Sequence, residues 1–230
     1  MRQFDDLTYV HSVNVALIAS ILGQWLKFNE KDIRILTISG LLHDIGKIMI
    51  PNEILTKPGK LTVAEYNIMK QHVNFGYEKV KNQNIDIRIK EACLLHHEKC
   101  DGTGYPFGLK SDHIPAVAKI IAIADVYDAM TSARVYRGAL CPFEVIDTMY
   151  KDAFTKFEPE YILPFLKNVA SSYINNDVRL SDGRIGKVVL INENALSLPI
   201  VQCEDEFIDL SKTRGLTCLL YTSPSPRDCS

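Results

Sequence analysis

None of the six cysteines in this 230-residue sequence stands in a C-x-x-C pair. Cys93, Cys100, Cys141, Cys203, Cys218 and Cys229 are scattered. Secreted disulfide frameworks are shorter and denser, so these thiols are read as reduced and the chain as cytoplasmic. No apolar run reaches the length needed to cross a bilayer. The start, MRQFDDLTYVHS, brings acids early and no apolar segment after them, unlike a signal peptide. A strong charge of either sign is missing too. With 26 Lys and Arg against 28 Asp and Glu, the net charge is −2 at pH 7. That argues against a nucleic-acid polymer or a membrane surface as partner.

What is present is enough apolar sequence, 47%, to bury a sizeable core. Helical spacing predicts helices over 9–26, from Asn29 to near Gly46, then over 62–80, 86–97, 116–130, 142–153 and 158–173. In the first, Val10, Val13, Leu17, Ile21 and Leu22 recur at helical intervals. Gly46 reads as a C-cap, with Pro51 barring continuation. Thr62 and Glu65 form a capping-box pattern. The segment 116–130 is nearly all apolar and is predicted to be central. After Asn175 the pattern changes to short strands, clearest at 178–180 and 187–191, between Asp-Gly, Asn-Glu-Asn and Pro turns. The expected fold class is therefore mainly α, with a helical domain over 1–174 and a small C-terminal β appendage over 175–216. The end, TCLLYTSPSPRDCS (217–230), fits neither part. It resembles translated adapter read-through and is expected to be a non-native tail replacing the natural C-terminus.

Histidine is scarce, and its placement is informative. Of His11, His43, His72, His96, His97 and His113, all but the last fall at apolar-flanked helical positions. His113 lies in a predicted loop and reads as an ordinary surface residue. Asp44 follows His43 in GLLHDIGK, and Asp125 interrupts the apolar run IIAIADVYDAM. A buried carboxylate is costly without a compensating positive charge. A metal centre answers both costs, and neutral imidazoles with carboxylates suit Fe, Mn, Zn, Ni or Co. Adjacent helical residues point about 100° apart. The pairs His43-Asp44 and His96-His97 therefore suit a cluster wider than one ion, with a carboxylate as bridge. Two neighbouring metals are a common apparatus for phosphoester hydrolysis.

HDIGK at 43–47 and HHEKCDGTGYP at 96–106 resemble the HD-GYP family, a branch of the HD phosphohydrolase superfamily. The likeness runs from about Leu7 to Tyr173. It implies an HD-domain helical bundle and a metal-dependent phosphodiesterase that hydrolyses cyclic di-GMP to pGpG, and on to GMP, in bacterial signalling. The family's metal ligands fall on His11, His43, Asp44, His72, His96, His97 and Asp125, with Asp44 as the bridge. Lys47 matches the lysine that contacts substrate phosphate; Asp44 and Lys47 are the implied catalytic pair. Tyr105 of the GYP loop is assigned to substrate. TSARVYR resembles the family's TSxRxYR segment, which assigns Arg134 and Arg137 to phosphate or guanine. Asp128 is expected to hydrogen-bond a ligand imidazole.

Some family members hold a third metal with a Glu four residues before the first ligand histidine. Leu7 stands there, so two divalent ions, Fe or Mn, are expected. Members also carry further helices and a regulatory domain before that histidine, where ten residues precede His11. Two alternatives use the same residues: a hydrolase of another cyclic dinucleotide, and a non-catalytic cyclic di-GMP receptor. The GYP loop or the β appendage is the expected surface for a protein partner.

Overall fold

The computed structural model describes residues 2–132 and 140–219, with side chains from Thr8 onward. Its helices are α1 (Arg2–Trp25), α2 (Glu30–Leu42), α3 (Asn52–Leu55), α4 (Val63–Met69), α5 (His72–Val80), α6 (Ile87–Leu95), α7 (Ala116–Thr131), α8 (Pro142–Lys151) and α9 (Pro159–Ser172). Short 3-10 turns lie at Ile45–Met49 and Ser111–His113. α7 is the hub: Ile120, Ile121, Ile123 and Ala124 are fully buried. α1 and α2 pack on it, and α6 closes against both α2 and α7. No helix of the described residues is long and apolar enough to cross a membrane.

Three local expectations are corrected. α1 buries Val15, Ala16, Ala19 and Leu22, while Val10, Leu17 and Ile21 are exposed. The reason is close packing. A Cβ at Gly40 of α2 would lie 2.5 Å from the Cα of Ala16, so small residues form the contact and larger ones flank it. Gly46 is not the cap of α2, which ends at Leu42. It lies in the following 3-10 turn, where a Cβ would meet the His72 carbonyl oxygen at 1.9 Å. The segment expected as one helix over 62–80 is two. The Thr62–Glu65 capping box opens α4, but the Gln71 amide then bonds to Ile68 rather than four residues back, and α5 starts anew at His72.

The C-terminal strands are β1 (Asp177–Leu180), β2 (Ile185–Leu190), β3 (Ile200–Cys203), β4 (Glu206–Asp209) and β5 (Cys218–Leu219). They form one antiparallel sheet ordered β4-β3-β2-β1-β5. Gly183 takes a φ of +93° in the turn between β1 and β2, a conformation that suits glycine. Val178, Leu180, Val188 and Val201 join the apolar cluster of α7, α8 and α9, so the sheet shares the helical core. The boundary expected at Thr217 falls within this sheet, because Cys218 and Leu219 pair with Leu180 and Arg179.

Candidate metal centre

Five segments meet around Asp44. Because α2 ends at Leu42, the next two residues leave the helix at a turn. His43 and Asp44 are both buried there. His11 comes from α1, His72 from the first turn of α5, His96 and His97 from the end of α6, and Asp125 from α7. All seven predicted ligands are brought together, in two groups that can each hold a metal ion. One is Asp44, His72, His96 and His97; the other is His11, His43 and Asp125. Within each group the candidate donor atoms all lie within 4.8 Å of one another.

Asp44 faces both groups. Its Oδ1 lies 3.3 Å from Nε2 of His72 and 3.9 Å from Nε2 of His96. Its Oδ2 lies 3.2 Å from Nε2 of His43 and 3.6 Å from Nε2 of His11. Backbone carbonyls orient the rings. Nδ1 of His43 donates to Gly40 (2.7 Å), Nδ1 of His72 to Met69 (2.8 Å) and Nδ1 of His96 to Ala92 (2.9 Å). A carbonyl only accepts, so Nδ1 carries the proton and Nε2 presents a lone pair to the Asp44 carboxylate. Lone pairs facing a carboxylate in a buried site repel unless a cation lies between them. Nε2 of His43 and Oδ1 of Asp44 are indeed buried without a hydrogen-bond partner. The donor set thus fits divalent metal.

The charges agree. Burial works against the Asp44 carboxylate, and positive charge beside it, on His43 and His72 when protonated and on the Lys47 ammonium, holds its pKa well below the usual range, a charge that a bound cation would supply to neutral rings. Burial, with the neighbouring imidazoles His97 and His43, pushes His96 well below its ordinary value. Burial likewise lowers His97, to about 4, against the attraction of Asp125. Neutral imidazoles are the form that ligates. His11 differs. Burial alone would lower it, yet bonds to Asp125 (3.1 Å) and Asp128 (2.6 Å) raise it to about 9. Asp128 thus bonds the His11 imidazole, as expected, and is itself held by Asn14 and Ser132, both at 2.9 Å.

The Lys47 ammonium pairs with Oδ2 of Asp44. The Tyr105 ring stacks on His97 with centroids 4.7 Å apart. Gly102 has a φ of +83°, and a Cβ at Gly104 would lie 2.5 Å from backbone atoms of residues 97–99, so both glycines are required by the loop. Sequence reasoning did not assign Glu98. Its buried carboxylate accepts the amides of Phe107 (2.7 Å), Gly108 (3.1 Å) and Leu109 (2.9 Å) and holds the loop shut from below. Its position beside the histidine pair was the available signal. His113 is exposed, as expected. Arg134 and Arg137 lie outside the described residues, as does the side chain of Leu7.

The HD domain family matches residues 5–161. Among characterised proteins, the chain is 36% identical over 203 residues to a cyclic di-GMP phosphodiesterase of Pseudomonas aeruginosa, covering 88% of this chain and 49% of that protein. It is 41% identical over 147 residues to a 3'3'-cGAMP-specific phosphodiesterase of Vibrio cholerae, covering 63% and 33%. The chain therefore spans about half the length of the first relative and a third of the second. Among solved structures, the protein Bd1817 of Bdellovibrio bacteriovorus superposes with a TM-score of 0.57 at 23% identity, over 68% of this chain and 50% of that one. It shares the helical fold.

Proposed function

The chain belongs to the HD domain family, in its HD-GYP branch, and from that premise we propose that it is a metal-dependent phosphodiesterase that opens cyclic di-GMP to pGpG. The observation supporting this is Asp44, whose two oxygens face two separate sets of imidazole nitrogens. In this reading His11, His43 and Asp125 would hold one divalent ion and His72, His96 and His97 the other, with one Asp44 oxygen facing each group. When bound, two iron or manganese ions supply Lewis acidity toward a phosphate oxygen and acidify the attacking water.

The remaining steps belong to the protein. Lys47 is oriented by Asp44 and offers its ammonium to a non-bridging phosphate oxygen, a task suited to a point charge. Tyr105, stacked on His97, forms the wall beside that phosphate. Arg134 and Arg137 bind the far phosphate and guanine edge with their planar forks. Hydrolysis of a 3'3'-linked mixed dinucleotide is a second reading, favoured by the 41% identity to the Vibrio cholerae relative.

The test is competition: metal-loaded protein receives equimolar cyclic di-GMP and 3'3'-cGAMP, and the products are separated by chromatography. The proposal expects pGpG to form first. Preferential consumption of 3'3'-cGAMP supports the second reading, and binding of cyclic di-GMP without turnover makes the protein a receptor.

A further inference from the structure

The row of side chains leading from the histidines to the surface extends past Tyr105. Lys70 closes α4, two residues before His72. Its ammonium lies 5.9 Å from the Tyr105 ring centroid and 5.3 Å from that of Tyr66, one turn earlier on α4. Tyr105 in turn stacks on His97 and stands edge-on to His72 with centroids 6.4 Å apart. Tyr66 is exposed and forms the outer end of the row. Lys47 and Lys57 are already engaged: Lys47 pairs with Asp44, and Lys57 pairs with Glu65 at 2.6 Å. Among the described residues Lys70 forms no ion pair, and its ammonium lies over the two tyrosine rings.

An ammonium held between aromatic faces, without a carboxylate, keeps its charge available to an incoming anion. Lysine suits phosphate as a point charge. An exposed tyrosine ring suits a nucleobase, because every base has a face that stacks. Phosphate and base together describe a nucleotide. The row starts at the candidate metal centre, so the nucleotide in question is the one beyond the scissile bond. We infer that Tyr66 and Lys70, with Tyr105 between them and the histidines, form an outer subsite for the second nucleotide of a cyclic dinucleotide. In it the Lys70 ammonium takes a phosphate oxygen and the Tyr66 ring takes the purine face. This rests on the phosphodiesterase reading and adds two residues to it.

The experiment compares wild type, Lys70→Met, Lys70→Arg and Tyr66→Ala on two substrates, with calorimetric binding of pGpG as a readout independent of turnover. Cyclic di-GMP reaches the subsite; bis(p-nitrophenyl) phosphate has neither a second phosphate nor a purine. Loss of one charge-assisted contact corresponds to a KM rise of about 10-fold or more. Lys70→Met is expected to raise KM for cyclic di-GMP by that factor, leave kcat within about twofold, and weaken pGpG binding in parallel. Turnover of bis(p-nitrophenyl) phosphate stays unchanged, and Lys70→Arg keeps most of the affinity. Tyr66→Ala moves in the same direction. Wild-type turnover of cyclic di-GMP with no change in Lys70→Met, or an equal loss on both substrates, overturns the inference alone. Wild type that hydrolyses bis(p-nitrophenyl) phosphate but neither binds nor opens cyclic di-GMP overturns the functional reading and the subsite with it.

Discussion

Nδ1 of His11 donates a 2.6 Å hydrogen bond to Oδ2 of Asp128, across 117 residues of sequence. The carboxylate is itself fixed by Asn14 and Ser132. This turns the opposite nitrogen of His11 toward Asp125 and Asp44. Asp128→Asn can offer His11 an amide N–H in place of an acceptor, which removes that orientation. Such supporting contacts are worth about 10- to 100-fold in metal affinity or activity. Asp128→Asn is expected to lose metal to a chelator at a correspondingly lower chelator concentration, while Asn14→Ala shows a smaller loss.

Gly46 makes the approach of the 3-10 turn to α5 possible, since a Cβ there would sit 1.9 Å from the His72 carbonyl oxygen and 2.4 Å from the Gly76 amide nitrogen. Both contacts are backbone, so neither yields cheaply. Gly46→Ala is expected to separate His43 and Asp44 from His72 and to lower bound metal per chain, measured by elemental analysis, although no ligand is changed. Full metal content in that variant contradicts the close-approach argument.

Glu98 is the keystone of the 98–109 loop. Glu98→Ala leaves three amides without their acceptor, and a destabilisation of about 2–4 kcal/mol in urea unfolding is expected. Glu98→Gln keeps one acceptor oxygen and should fall between this variant and wild type. Equal midpoints for all three proteins contradict the assignment.

Metal removal is expected to lower the melting temperature. A ligand present at 100 times its Kd stabilises a protein by about 2.7 kcal/mol. In a chain of this size that is a shift of about 5–10 °C between metal-loaded and chelator-treated protein. The cause is the repulsion among Asp44, His43 and His72 that a cation relieves.

The clustering of His43, Asp44, His96, His97 and Asp125 was legible in the sequence because carboxylates and paired histidines on apolar helices need a reason to be there, whereas His11 and His72 were assigned through the family resemblance. The turn after α2 that splays His43 and Asp44 was missed, because Gly46 was read as the end of a helix that stops at Leu42. The apolar face of α1 was misread for a physical reason. Spacing shows which residues share a helix side, but the approach of Gly40 to Ala16 decides which side is buried. The break between α4 and α5 was hidden because Lys70 and Gln71 both keep helical dihedrals. Glu98 was hidden because a carboxylate that serves only backbone amides has no partner residue to betray it. The Thr62 capping box is the opposite case: both halves of the contact lie within four residues and were read directly.

The central claim is that Asp44 joins two metal ions into one phosphodiesterase centre. The most direct measurement combines metal content and cyclic di-GMP turnover on the same preparations of wild type and Asp44→Ala. The account predicts two ions per chain and pGpG from wild type, with Asp44→Ala losing metal and at least about 100-fold in kcat. Equal turnover by Asp44→Ala, or undiminished turnover by wild type stripped of metal, would contradict it.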